Sequence, residues 1–177
     1  LIITIFMFGL FNNVSANYSK LAYDFEFKNI KGGTINLNNY KNKVIVVVNV
    51  ASRCGFTSQY EDLQKLWTNY KNEGLVVLGV PTNNFKQEPG SNKDIKDFCE
   101  TNFNIDFPMS EKVDVIGKNS HEFYKWAKQN YGLSAVPKWN FHKIIISKDG
   151  KISNTFASIT KPYSKKFIKS IEENIKN

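Results

Sequence analysis

Cys54 and Cys99 are the two cysteines of the sequence, and the first of them stands where a thiol can become a nucleophile. Val44 to Val50, VIVVVNV, is a β-branched run, and from Thr57 onward apolar residues recur with a period of 3.6, so Cys54 falls between a buried strand and a helix three or four residues further on. A sulfur in that position can face backbone N–H groups that the helix leaves unpaired, together with the positive end of its dipole, and both favour the thiolate. Gly55 lets the backbone approach closely there, and Arg53 adds a positive charge beside it. In Cys54-Gly55-Phe56-Thr57 a threonine occupies the place where a dithiol oxidoreductase carries its second cysteine, which counts against a simple disulfide-exchange carrier. Two cysteines are too few for a disulfide framework, and His121 and His142 lie at no recognised ligand spacing, which counts against a metal site. On the residues alone, Cys54 and Cys99 are two buried thiols, two unrelated thiols or a redox pair.

Three segments narrow that choice. VNVASRCGFT, KQEPGSN and KWNFHK, in that order, resemble the signature segments of the glutathione peroxidase family, and the likeness runs from Tyr23 to Pro162. The resemblance implies a thioredoxin fold and a catalytic tetrad of Cys54, Gln87, Trp139 and Asn140. The chemistry of these side chains agrees with that role, because the amides of Gln87 and Asn140 and the indole of Trp139 are neutral hydrogen-bond donors, suited to a thiolate and to the charge that passes to a departing oxygen. An unperturbed thiol of pKa about 8.5 is roughly 3% ionised at pH 7, so complete ionisation gains only about 30-fold, near 2 kcal/mol. Most of a peroxidase's rate must therefore come from donors aimed at the transition state.

The sequence departs from the family's pattern between Pro81 and Gln87, where PTNNFKQ is one residue shorter than usual and Thr82 stands where many members carry cysteine. Cys99 is then the one partner left for Cys54. The cysteine-dependent, thioredoxin-using members resemble this chain in placing a cysteine in the helix before NFNIDFP, which implies that Cys99 is a resolving thiol. The implied cycle converts hydrogen peroxide or an organic hydroperoxide to water or an alcohol, passes through a Cys54 sulfenic acid and a Cys54–Cys99 disulfide, and is reset by thioredoxin, with glutathione a weaker reductant. The competing expectation is a peroxide sensor or relay that hands its oxidation to a partner protein. No cofactor and no metal are called for. Asn130 to Phe141, NYGLSAVPKWNF, lacks the long insertion that tetrameric relatives use for assembly, which implies a monomer; His142 is expected on a strand surface rather than as a general base.

The elements that must position these residues follow from pattern. FEFKNIKGGTINL alternates about Gly32-Gly33 as a hairpin does, and Leu75 to Val80 reads as a second buried strand, parallel to the first across a right-handed helical connection. Tyr60, Leu63, Leu66, Trp67 and Tyr70 make one helical face, with Ser58 and Glu61 as its capping box. Further helices are predicted over Asn92 to Phe103, His121 to Tyr131 and Ser164 to Ile175, and strands over Phe141 to Ser147 and Ser153 to Ala157, joined at Lys148-Asp149-Gly150 as an antiparallel hairpin. This order gives an α/β protein in which a central mixed β-sheet is flanked by helices in three α/β/α layers.

A length of 177 residues, 41% of them hydrophobic, suits one folded domain, taken as residues 17–177, and excludes a disordered or collagen-like chain. The formal charge of +8 raises the question of nucleic acid, but the lysines are spread along the chain and Arg53 is its single arginine, so the charge reads as a solvated surface and no nucleic-acid partner is expected. Residues 1–16, LIITIFMFGLFNNVSA, pair an uncharged run from Leu1 to Leu10 with a small-residue end, Val14-Ser15-Ala16, resembling a signal peptide cleaved before Asn17. That segment suggests the secretory route or an organelle reached through it, or the cytoplasm if the mature form lacks it. It is short for a membrane span, so no stable membrane insertion of the mature domain is expected.

Overall fold

The computed structural model describes residues 18–177, so the signal-like segment lies outside the described residues. A four-stranded sheet in the order β4-β3-β5-β6 organises them. Its centre is β3 (Val44–Val50), which pairs parallel with β4 (Leu75–Pro81) and antiparallel with β5 (Lys143–Ile146); β6 (Ile152–Phe156) completes the sheet against β5. Every residue of β3 and β4 is buried, as uninterrupted β-branched runs require of strands covered on both faces.

The pleat sorts β3 into two cores. Val44, Val46, Val48 and Val50 pack with Tyr60, Leu63 and Leu66 of α1 (Gln59–Tyr70), Ile95 and Cys99 of α2 (Asn92–Phe103) and Phe167 and Ile171 of α4 (Lys165–Lys176). Ile45 and Val47 face the other way, toward Phe123, Trp126 and Ala127 of α3 (Glu122–Tyr131) and the hairpin formed by β1 (Glu26–Lys28) and β2 (Thr34–Asn36). Helices thus cover both faces of a mixed sheet, and the architecture is the thioredoxin fold.

The glycine turns lie where the sequence pattern puts them. Gly32 and Gly33 take φ values of 95° and 79° in the β1–β2 turn, and Gly150 takes 80° in the β5–β6 turn, a region that costs an L-residue a steric penalty. At Gly150 any side chain would also strike the Tyr23 ring, because a Cβ would sit 2.7 Å from its edge.

Two expected element starts differ in the structure. The Ser58–Glu61 capping box does not form: Ser58 is itself helical, with φ −58° and ψ −18°, and makes no side-chain cap, because consecutive turns from Cys54 lead straight into α1. A box is instead closed at α2, between Ser91 and Asp94. The strand expected from Phe141 begins only at Lys143, because Phe141 adopts a left-handed φ of 65° that no strand continues through. Among the described residues no helix is long and apolar enough to cross a membrane.

Candidate active site

Cys54 lies in the turn that joins the C-terminal end of β3 to α1, and it is 8% exposed. Thr57 builds that turn: its hydroxyl accepts a hydrogen bond from the Cys54 N–H and donates to the Ala51 carbonyl, both at 3.0 Å, while its own N–H donates to the Cys54 carbonyl at 3.0 Å. The Phe56 N–H donates to Cys54 Sγ at 3.4 Å. Since α1 begins at Gln59, later than the spacing suggested, the sulfur is met by an amide of the turn rather than by the helix's own first amides.

Gln87 is brought to this turn by backbone. Its carbonyl accepts from the Arg53 N–H at 3.0 Å, one residue from the nucleophile. The short Pro81–Gln87 segment manages this with a tight turn, in which the Lys86 N–H donates to the Asn83 carbonyl at 2.9 Å and Lys86 takes a left-handed φ of 57°. Asn140, fully buried, donates its amide to Gln87 Oε1 at 2.9 Å. That bond occupies the carbonyl end of Gln87 and leaves its NH₂ as the end free to donate, so Asn140 acts on Gln87 rather than offering that N–H to sulfur. Trp139, next in line, is 41% exposed and leans on Phe85 with ring centroids 5.4 Å apart.

Two residues outside the expected tetrad hold it together. Asn49 of β3 donates its amide to the Trp139 carbonyl at 3.1 Å, and its own carbonyl accepts the Phe141 N–H at 2.6 Å, which clips the Trp139–Phe141 segment to the strand that leads to Cys54. Glu88 is buried, and its carboxylate accepts from both the N–H and the hydroxyl of Ser52, at 2.7 and 2.9 Å. Burial raises its pKa, opposed by those two hydrogen bonds and by the charges of Lys112 and Arg53. The Glu88–Ser52 tie fixes the loop of Gln87 against the turn of Cys54. Asn49 lies inside the VNVASRCGFT segment, as the one polar residue of the β3 run, and Glu88 lies inside KQEPGSN, but residue type alone gave neither of them a role.

Cys99 is only 2% exposed on the core side of α2, and neither cysteine is in a disulfide. Burial pushes its thiol up to about 11, with the neighbouring Tyr60 hydroxyl acting the other way. Tyr60 Oη is itself buried and closes no hydrogen bond within ordinary distance and angle, so its influence on Cys99 is through proximity. His142 is not on a surface, as expected, but 7% exposed, because the left-handed Phe141 turns it inward; burial, then the adjacent Lys143 charge, depresses its pKa to about 4. It is a neutral imidazole near pH 7 and no proton carrier there. No cluster of metal-ligating side chains occurs among the described residues.

A family model described as glutathione peroxidase matches residues 22–128. Glutathione peroxidase-like peroxiredoxin 2 of Saccharomyces cerevisiae is 44% identical over 146 residues, covering 80% of this chain and 90% of its own length. Among solved structures, the crystal structure of Trgpx in apo form is similar with a TM-score of 0.70 and 35% identity, covering 90% of this chain and 98% of that one. A thioredoxin family thiol:disulfide interchange protein from Chlorobium tepidum, at 14% identity, shares the fold with a TM-score of 0.64, over 85% of this chain and 92% of its own.

Proposed function

Because the chain belongs to the glutathione peroxidase family and is a peroxidase of the oxidoreductase class, we propose that Cys54 is its peroxidatic nucleophile and that the cycle closes through Cys99. The observation that carries this reading is the turn at Cys54: a sulfur that accepts the Phe56 N–H, with Gln87 tied to the next residue and oriented by Asn140. The Cys54 thiolate attacks one oxygen of the peroxide; an S–O bond forms, the O–O bond breaks, and the leaving oxygen departs with a proton as water or alcohol. The Gln87 amide and the Trp139 indole donate toward the charge on that oxygen. The sulfenic acid is then attacked by the Cys99 thiolate, releasing water and leaving a Cys54–Cys99 disulfide, which a thioredoxin dithiol reduces to two thiols while becoming oxidised itself. Glutathione serves at best slowly, by capping the sulfenic acid. The protein works as a monomer, in keeping with the short connection from α3 to Trp139.

One observation favours the second reading, a relay of oxidation to a partner protein. A Cys99 thiol pushed up to about 11 is rarely ionised at pH 7, which lengthens the life of the sulfenic acid. Steady-state turnover separates the two. Wild type and Cys99→Ser are each supplied with peroxide and either thioredoxin with its reductase or glutathione with its reductase. The two-cysteine peroxidase consumes peroxide continuously with thioredoxin and loses that turnover in Cys99→Ser, while one equivalent of peroxide still oxidises Cys54. Thioredoxin-driven cycling of Cys99→Ser at the wild-type rate would remove Cys99 from the mechanism.

A further inference from the structure

A cleft of about 530 Å³ lies away from Cys54, between α3 and the loop 115–120. Val115, Ile116, Val136 and the ring of Tyr124 give it an apolar lining, to which Ser120 and Gln129 add polar groups. Its rim is cationic, with Lys118 on the loop and Lys125 and Lys128 on α3. Lys125 is paired with Glu122 at 2.6 Å, whereas Lys118 and Lys128 make no ion pair among the described residues. Tyr124 is 4% exposed, and its hydroxyl has no hydrogen-bond partner. Burial raises its pKa, so the hydroxyl stays protonated and the ring enters the lining as a neutral surface.

The cleft is framed rigidly. Asn84 Oδ1 accepts from the N–H groups of Val115 and Ile116, at 2.6 and 3.3 Å, while Asn84 Nδ2 donates to Asp114 at 2.8 Å. The His121 N–H closes the loop onto the Asp114 carbonyl at 2.8 Å. Such a concave site, apolar within and carrying a few convergent polar groups, has the size range of small-molecule sites.

We propose that this cleft binds a free medium-chain carboxylate, with the alkyl body against Val115, Ile116, Val136 and Tyr124 and the anionic head at Lys118 and Lys128. The charge complementarity selects the head, and the apolar walls select the body. Cys54, Gln87, Trp139 and Asn140 do not line the cleft, so the carboxylate is a ligand and not the peroxide substrate. The proposal stands or falls apart from the roles given to the two cysteines.

Isothermal titration of the reduced full-length chain tests it with octanoate, acetate and octan-1-ol. Octanoate is expected to bind at one saturable site, at least tenfold more tightly than acetate, which lacks the body, or octan-1-ol, which lacks the charge. Lys118→Gln combined with Lys128→Gln should weaken octanoate at least tenfold, and Lys169→Gln, on α4, should leave it unchanged. A second measurement does not depend on a variant: octanoate should protect Lys118 and Lys128, and not Lys169, from acetylation read by mass spectrometry. Absence of saturable binding, equal affinity for acetate or octan-1-ol, or indifference to the lysine pair would each overturn the proposal. So would sedimentation with phosphatidylserine vesicles through the same lysines without binding of octanoate, which would make the patch a membrane contact.

Discussion

The bond from Asn140 to Gln87 makes a prediction that separates two ways of contributing to catalysis. In Asn140→Ala the Gln87 carbonyl loses its 2.9 Å donor, and the side-chain amide is free to rotate. A net hydrogen bond is worth about 1 kcal/mol, and an orphaned acceptor adds about 1–3 kcal/mol. Against that, Asn140 Oδ1 is already buried without a partner, so its removal relieves a cost of the same kind. The expected loss of stability is therefore modest, about 1–2 kcal/mol, or roughly 2–8 °C in melting temperature for a chain of this size. The loss of rate is the larger effect, because a disordered Gln87 withdraws one oriented donor, and such a donor contributes up to about 10²-fold. Rapid-quench oxidation by one equivalent of hydrogen peroxide, in a Cys99→Ser background so that only the first step is seen, should be 10- to 100-fold slower, an order-of-magnitude expectation. Gln87→Ala should slow it comparably. If Asn140 acts through Gln87, the double variant is no slower than Gln87→Ala, since the two residues share one contribution. Multiplying effects in the double variant would refute this reasoning and make Asn140 an independent donor.

Cys54→Ser should abolish peroxide consumption in a coupled assay, because a serine hydroxyl is scarcely ionised near neutral pH; substantial turnover would take the nucleophile's role from Cys54. Trp139→Phe should slow Cys54 oxidation by roughly 10- to 100-fold through loss of the indole donor, yet leave the melting temperature nearly unchanged, since the ring is 41% exposed; an unaltered oxidation rate would count against it. Lys143 tests the core: its ammonium is buried, donating to Gln59 Oε1 and to the Ser158 and Thr160 carbonyls, and burial pulls its pKa down to about 7. The unfolded chain keeps this proton to about pH 10.4, so between about pH 7 and 10 it binds more protons than the folded chain, and stability gains about 1 kcal/mol per pH unit from this group as pH rises. Denaturant titrations from pH 7 to 9 should show that gain in wild type relative to Lys143→Met; identical slopes would mean that Lys143 stays charged in the fold.

The sequence made the scaffold legible because burial there is written in residue type. Val44–Val50 could be placed at the sheet centre from its β-branched run, and α2 was bounded at Asn92 and Phe103 as observed. Gly32, Gly33 and Gly150 marked both hairpin turns because their backbone conformations exclude other residues cheaply. The misses share a different cause. The box expected at Ser58 and the strand expected from Phe141 each depended on dihedral angles of one residue, which tertiary packing decides. His142 was placed on the surface by its polarity, whereas the Phe141 turn buries it. Within the site, residue types announced donors but not their direction: the amides of Gln87 and Asn140 are 53 positions apart, and only the fold reveals that one holds the other.

The central place of β3 bears on how the protein is made as well as how it works. Its parallel neighbour, β4, follows within a short stretch of chain, but its antiparallel neighbour, β5, begins at Lys143, roughly sixty residues after Pro81. At the 5–20 residues per second of a ribosome, that is a wait on the order of 3–12 s. During it one edge of an apolar, β-branched strand has no partner, and such an edge templates aggregation. The danger therefore falls on the nascent chain and ends when β5 arrives. Nascent chains stalled near residue 120 should pellet or recruit chaperones more than chains stalled beyond β6 with the exit tunnel cleared. Equal solubility of the two would show that α2 and the loops already shield β3 before its last partner exists.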